Sequence, residues 1–418
     1  MTYIHRDIEN EISALSKQYP CLLIAGPKQV GKTRTSNALK DPERTYISLS
    51  ESIVLRTAAR TDPAEFLKRH KPPIIIDDIH YAPELFTYIQ KFLKKQDKTV
   101  PGMFWLISSS LFAAQIKSQN ITNASLAILH MTSFTQRELY GKPRDCNTNL
   151  PIPLPFLPAS GTPATTTEMF NRIYRGFMPK LYRQNFKNPK VYYNNYIKAY
   201  IDQEIHEQYP RINEVKFFLF LAHISQQVGQ VLNLKIIAEK LNISADTAKR
   251  WLTILRDSDI IFLLYPYSAP DLKRTLKRQK VYFYDTGLAA HLSEFIPENA
   301  LSNNSFKYKH PLLENYAIAE YQKIHRNQRQ ECPIWYYKDK EKNSIDLVIE
   351  INPVNGDPYA LYFVRIVNDT SKINMYTSYL DFAPFHSIPH TNKIVLCVCE
   401  EYNIDPESYF QGLPIWGI

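Results

Sequence analysis

The stretch CLLIAGPKQVGKTRTSNALK, Cys21–Lys40, decides the fold. An apolar, strand-like run ends in a glycine-containing loop, and a helix-forming run follows. GPKQVGKT fits G-x-x-x-x-G-K-[ST], with Gly26, Gly31, Lys32 and Thr33 in the required places. The glycines let the loop turn its backbone N–H groups toward phosphate oxygens, and the helix start adds its dipole. Lys32 would reach the β- and γ-phosphates, and the Thr33 hydroxyl would ligate Mg²⁺. The expected nucleotide-binding set is Gly26, Pro27, Lys28, Gln29, Val30, Gly31, Lys32, Thr33 and Arg34. ATP and Mg²⁺ are the expected ligands.

A second half-site should be an apolar strand ending in acid. PPIIIDDIH, Pro72–His80, supplies it. Asp77 would hold Mg²⁺ together with Thr33, and Asp78 would act as the catalytic acid that polarises the attacking water.

Around these runs, residues 1–140 alternate strand-like and helical stretches, the signature of an α/β core. Residues 141–166, GKPRDCNTNLPIPLPFLPASGTPATT, form a Pro-rich connection. A helical segment spans 167–210, and 211–300 read as helix, turn, helix and hairpin. From 301 to 418 strands return, in CPIWYYKD, SIDLVIEI, YALYFVRIV and KIVLCVCE, as a further α/β domain. The 418 residues are 44% hydrophobic and 22% charged, which suits several packed domains. No apolar run approaches the roughly 20 residues of a membrane span, so no membrane partner is expected. Five scattered cysteines read as reduced thiols and a cytoplasmic setting. The net charge of +9 is compatible with nucleic acid without requiring it.

The chain resembles prokaryotic AAA-type P-loop ATPases that carry a winged helix and a C-terminal restriction-endonuclease-like domain. The resemblance rests on GPKQVGKT, IIIDDIHYAPELFTYIQ, GMFWLISSSLF, SFTQREL, RGFMP, KVYFYDTGLAAHL and LLENYAIAE. It also marks departures. The family's Asp-Glu is Asp77-Asp78 here. Its polar sensor threonine after FWL is Ile107, leaving Ser108 or Ser109 to substitute. The arginine of its LAGR motif is Ser125, and its ERD reads Asp202-Gln203-Glu204. The binding loop is intact while residues of hydrolysis are altered. The resemblance therefore implies ATP·Mg²⁺ binding with weak or partner-dependent hydrolysis.

In NLKIIAEKLNISADTAKRWLTILRD, Ile236, Ile237, Leu241, Ala248, Leu252 and Leu255 fall at helical spacing as an apolar face. Asn242 marks the turn and Ser244 the next N-cap. The second helix exposes Lys249 and Arg250, types suited to a major groove. The hairpin connection carries Lys273, Arg274, Lys277, Arg278 and Lys280, a basic wing able to track phosphates. The same basic surface also suits protein partners or solvent. Asp285 is expected to cap a helix, with Gly287 easing a tight turn.

In the last domain, the resemblance places nuclease carboxylates at Glu314 and Asp346. Arg365 and Val367 stand where Glu and Lys belong, so nuclease activity is not expected. The reading is thus an ATP-driven or ATP-switched protein on DNA. The alternative is a nucleotide-sensing scaffold for protein partners. Self-association fits either. A small-molecule kinase is disfavoured, because nothing resembles an acceptor site or lid.

Overall fold

The structure, a computed structural model, describes residues 3–415 except 96–99, 119–124, 142–164, 184–187, 268–277, 298–305, 330, 339–343, 352–359, 368–390, 398–402 and 406–409. Its first sheet comprises β1 (Cys21–Ala25), β2 (Thr45–Ser48), β3 (Ile74–Asp77), β4 (Phe104–Ser108) and β5 (Leu126–His130). All pairs are parallel, in the order β2-β3-β4-β1-β5. Side-chain alternation sends β1 into two cores. Cys21, Leu23 and Ala25 join one cluster, Leu22 and Ile24 the other. This two-faced burial is why the strands read as unbroken apolar runs.

One face is covered by helices Ile53–Thr61, Pro83–Lys94 and Ser110–Ser118. The other merges into a single core shared with helices Thr166–Arg175 and Phe306–Asn327. Helices Leu234–Leu241 and Ala245–Asp257 join the same core. The turn between them is Asn242, left-handed at φ 49°, and Ser244 caps the second helix by accepting from Thr247 N. Ile237, Leu241, Ala248 and Leu255 are buried as their spacing predicts, but Ile236 is about half exposed and lies outside that face. Antiparallel β6 (Ile261–Leu264) and β7 (Lys280–Phe283) follow.

Asp285 caps the next helix through Leu288 N and also accepts from Tyr193 Oη at 2.6 Å and Phe177 N at 2.8 Å. Gly287 departs from its expected role. It needs no unusual backbone angle; a Cβ there would lie 2.2 Å from Tyr193 Oη and 2.8 Å from Gly176 Cα. Close approach, not a turn, requires the glycine.

A second sheet is mixed, in the order β12-β13-β11-β10-β9-β8, with β8 (Ile334–Lys338), β9 (Ser344–Ile351), β10 (Ala360–Val367), β11 (Thr391–Cys397), β12 (Asn403–Asp405) and β13 (Phe410–Pro414). The helix Phe306–Asn327 ties it to the first sheet. Glu320 accepts from Gln136 N at 2.7 Å, and Lys323 Nζ donates to Phe134 O at 2.7 Å. No helix among the described residues is long and apolar enough to cross a membrane.

A buried charged knot joins three regions. Asp259, left-handed at φ 57°, accepts from Ser110 Oγ at 2.5 Å and lies 3.4 Å from His130 Nδ1. Its other oxygen pairs with the Arg326 guanidinium. Burial alone would raise the carboxyl; Arg326, His130 and Ser110 outweigh it and hold the group well below its ordinary range. A depressed acid stabilises the fold above its unfolded pKa of about 3.9 and loses that contribution as pH falls below it. Asn tolerates the same backbone angle. Asp259→Asn should therefore cost about 3 kcal/mol at pH 7, as expected for breaking a buried pair. That deficit should shrink by pH 3, as read from urea midpoints at both pH values.

Candidate functional site

The carboxyl ends of β1, β3 and β4 meet at one edge of the first sheet, the usual place for ligands in parallel α/β sheets. Ala25 pairs with Ser108, and Ile76, just before Asp77, pairs with Leu106. From Ala25 the chain enters the loop, with Gly26 at φ 157° and Gly31 at φ 102°. A Cβ on Gly26 would stand 2.3 Å from Met131 O, so only glycine fits. The helix Lys32–Leu39 then begins.

The expected metal pair is assembled. Thr33 Oγ1 donates to Asp77 Oδ2 at 2.5 Å, and Tyr46 Oη donates to the same oxygen at 3.0 Å. Burial raises the Asp77 carboxyl and neighbouring Asp78 adds to this, opposed by Thr33, Tyr46 and Lys32. The residues fit Mg²⁺, which takes oxygen ligands and usually one or two carboxylates beside substrate phosphates. Among the described residues no cluster of three or more His, Cys, Asp or Glu could hold a metal alone.

Lys32 Nζ folds onto its own loop and donates to Gly26 O and Pro27 O, each at 2.7 Å. Burial lowers its pKa, opposed by Glu204, Asp77 and Asp78. Glu204 was not foreseen. It lies buried on a π-helical turn, Tyr200–Ile205, and burial raises its carboxyl against the pull of Lys28 and Lys32. Gln203 of the same turn accepts from Lys28 Nζ at 2.9 Å. π-turns are uncommon and recur at functional sites.

A cavity of about 600 Å³ opens here, within the range of small-ligand sites. Of the residues singled out from the sequence, Lys28, Gln29, Gly31, Lys32, Thr33, Arg34, Asp77 and Asp78 line it; Gly26 and Pro27 do not, and Val30 is buried. Asp78 sits at φ 58°, its N–H bonded to Asp77 Oδ1 at 2.9 Å. The sequence did not point to Tyr3, Ile4, Arg6, Phe134, Pro179, Lys180 or Arg183, which complete the wall.

The altered positions divide. Ile107 is core, and it is Ser108 that ends β4 beside the loop, 3.5 Å from His80 Nδ1. Burial pushes His80 down to about 4 despite Asp78 nearby, so its imidazole is neutral at physiological pH. Ser125 lies away from the loop. Its carbonyl accepts from Cys21 N, at the far end of β1, roughly 16 Å from the loop at about 3.3 Å per residue. A residue there does not reach this chain's own cavity. Gln203 does.

A second cavity, about 650 Å³, lies between β5 and the ends of helices Ala245–Asp257 and Phe306–Asn327. Two of its cations are matched within it: Arg256 Nε to Asp257 Oδ1 at 3.0 Å, and Arg326 to Asp259. Lys249 and Arg250 are exposed on the first of those helices, Lys249 being 3.5 Å from Asp246. Arg278 is exposed; Lys273, Arg274 and Lys277 lie outside the described residues.

On the helix Phe306–Asn327, Glu314 accepts from β7, from Lys280 Nζ at 2.7 Å and Tyr282 Oη at 2.6 Å, which buries Lys280 and takes it out of the expected basic wing. Asp346 accepts from Arg365 at 3.2 Å and from Ile366 N at 2.9 Å.

Residues 18–140 match a family described as AAA domain, and residues 166–299 match one described as a domain of unknown function, DUF8612. The chain is 21% identical over 387 residues to uncharacterized proteins of Mycobacterium bovis and Mycobacterium tuberculosis, covering 90% of this chain and 77% of each relative. Among solved structures it is similar to a Walker-type ATPase of Pyrococcus abyssi, at 12% identity and a TM-score of 0.42, covering 69% of this chain and 96% of that one. Residues 18–140 thus combine the phosphate-loop motif and the parallel five-stranded order of a P-loop NTPase core with a match to the AAA domain family.

Proposed function

We propose that the chain binds ATP·Mg²⁺ in the 600 Å³ cavity, hydrolyses it slowly unless a partner assists, and acts on DNA. The observation that carries the nucleotide reading is the Thr33–Asp77 contact at 2.5 Å beside Lys32. Two oxygen ligands already face each other where a divalent ion would sit. Bound Mg²⁺ would neutralise charge on the phosphates. Lys32 would exchange its two loop carbonyls for phosphate oxygens. Asp78 would accept a hydrogen bond from the attacking water, and Ser108 stands at the strand end where a polar sensor belongs.

Slow turnover follows from charge. Transition-state negative charge on the transferred phosphoryl group needs cations, and one arginine is worth roughly 10³–10⁵ in rate. Gln203 lines the cavity without offering one. Lys180 and Arg183 supply positive charge from the same chain, on the rim that the 166–299 region contributes.

The DNA reading rests on exposed Lys249 and Arg250 on the second helix of a helix-turn-helix, followed by a hairpin. The scaffold alternative has its own support. The Glu314 and Asp346 carboxylates are both engaged by internal cations, which disfavours a metal-dependent nuclease and suits a domain kept for assembly.

Three outcomes follow. Lys32→Ala should weaken ATP·Mg²⁺ binding at least tenfold by isothermal titration, and equal affinity would remove the loop from the account. Gln203→Arg should raise turnover tenfold or more, measured as phosphate release; no gain would mean that missing charge at this position is not what limits the rate. Duplex DNA affinity should fall steeply between 50 and 200 mM salt, as phosphate contacts demand. It should drop further in Lys249→Ala/Arg250→Ala. Absence of DNA binding at low salt would favour the scaffold.

A further inference from the structure

The Asp77 carboxylate is engaged at both oxygens. Oδ1 accepts from Asp78 N at 2.9 Å, and Oδ2 accepts from Thr33 Oγ1 at 2.5 Å and from Tyr46 Oη at 3.0 Å. The Tyr46 contact follows from strand register. β2 runs parallel to β3, with Tyr46 beside Ile75 and Ser48 beside Asp77. Residues two apart along a strand share a face, so Ile75 and Asp77 stand on one side of the sheet. Tyr46 packs against the core cluster that holds Ile75, and its hydroxyl reaches two residues forward to the strand end. The two hydroxyls on Oδ2 differ in reach. Thr33 lines the cavity and Tyr46 does not, so Tyr46 meets the carboxylate and not a ligand in the cavity. Burial, with Asp77 adding to it, raises the Tyr46 hydroxyl well above its ordinary range, so it stays protonated and a donor at physiological pH.

We infer that Tyr46 is the positioning residue of the divalent-cation site: its hydroxyl holds Asp77 Oδ2 in the orientation that meets a cation beside Thr33. This rests on the ATP·Mg²⁺ reading above and adds the residue that sets the strength of its metal site. The last torsion of an aspartate is broad, so its oxygens are fixed only by what they bond. Asp78 N fixes Oδ1 alone. Hydrogen-bond partners behind a metal ligand are typically worth about 10–100-fold in metal affinity. Removing the Tyr46 hydroxyl frees Oδ2 while leaving charge, ligands and loop in place.

The test is calorimetric titration of the full chain with ATP, in excess Mg²⁺ and in EDTA, for the wild type, Tyr46→Phe, Asp77→Asn and the double variant. The ratio of the two affinities reads what the metal contributes. Tyr46→Phe should lower that ratio about tenfold and leave the affinity in EDTA unchanged. Asp77→Asn should lower it at least as far. Adding Tyr46→Phe to Asp77→Asn should cost nothing more, because the hydroxyl acts through Asp77. An unchanged ratio in Tyr46→Phe would overturn the inference. So would equal weakening in Mg²⁺ and in EDTA, the mark of a distorted loop, and so would additive losses in the double variant. If the wild type bound ATP equally well in Mg²⁺ and in EDTA, the metal site and the role of Tyr46 would fall while the loop reading stood. If it bound ATP in neither, all would fall.

Discussion

The buried guanidinium of Arg6 is the contact on which the arrangement depends. It donates to Val30 O of the phosphate loop and to Thr132 O just after β5, each at 2.8 Å. Its Nε lies 3.0 Å from Glu138, and its plane packs over the Phe134 ring at 4.7 Å. Glu138 in turn accepts from Thr135 N and Asp7 N. Neither Arg6 nor Glu138 is solvated, and either alone would be an uncompensated buried charge, costing roughly 3–5 kcal/mol. Together they fix the N-terminal segment, the loop and the 133–139 turn as one body. The next residue of that turn, Gln136, hands the connection on to Glu320 in the helix Phe306–Asn327. The loop's backbone is thus braced from behind by a network that runs into the last domain.

How much of this was legible follows from how far apart in sequence the cooperating residues lie. Gly26, Lys32, Thr33 and Asp77 were readable because each carries its chemistry in a local pattern: a strand, a glycine turn, an acid at a strand end. Asn242, Ser244 and Asp285 were readable for the same reason, as turns and caps set by neighbours within a few residues. Tyr3 and Arg183 were not, because nothing local distinguishes them from surface or core residues. They become wall residues only when the N-terminal segment and a segment far beyond the loop close on one cavity. Gly287 was noticed for the wrong reason, since its constraint is a hydroxyl contributed by Tyr193.

The sensor position shows a different limit. Matching by motif puts the polar residue at Ile107. In a strand, however, successive side chains point to opposite faces. Ile107 joins the cluster that also holds Leu22 and Ile24, while Ser108 is the polar residue at the strand end, 3.5 Å from His80 Nδ1. Gln203 is different in kind: it stands in the cavity wall as a neutral side chain, and its neighbour Lys28 already uses its side-chain oxygen.

The cavity wall also explains why binding here would have consequences elsewhere. Its floor belongs to residues 18–140, but Pro179, Lys180, Arg183 and Gln203 come from the region that carries the helix-turn-helix. A ligand that touches both sides binds best when they are close, and can shift the arrangement only by its differential affinity. Phosphate against Lys32 alone would shift nothing. A ligand reached by both Lys32 and Arg183 would touch both sides, which the Lys28–Gln203 hydrogen bond already joins. The same π-turn continues through Tyr200, whose hydroxyl shares a 2.7 Å hydrogen bond with Ser258, the residue capping the helix that displays Lys249 and Arg250. Contiguous buried contacts thus run from the cavity wall to the helix that displays Lys249 and Arg250.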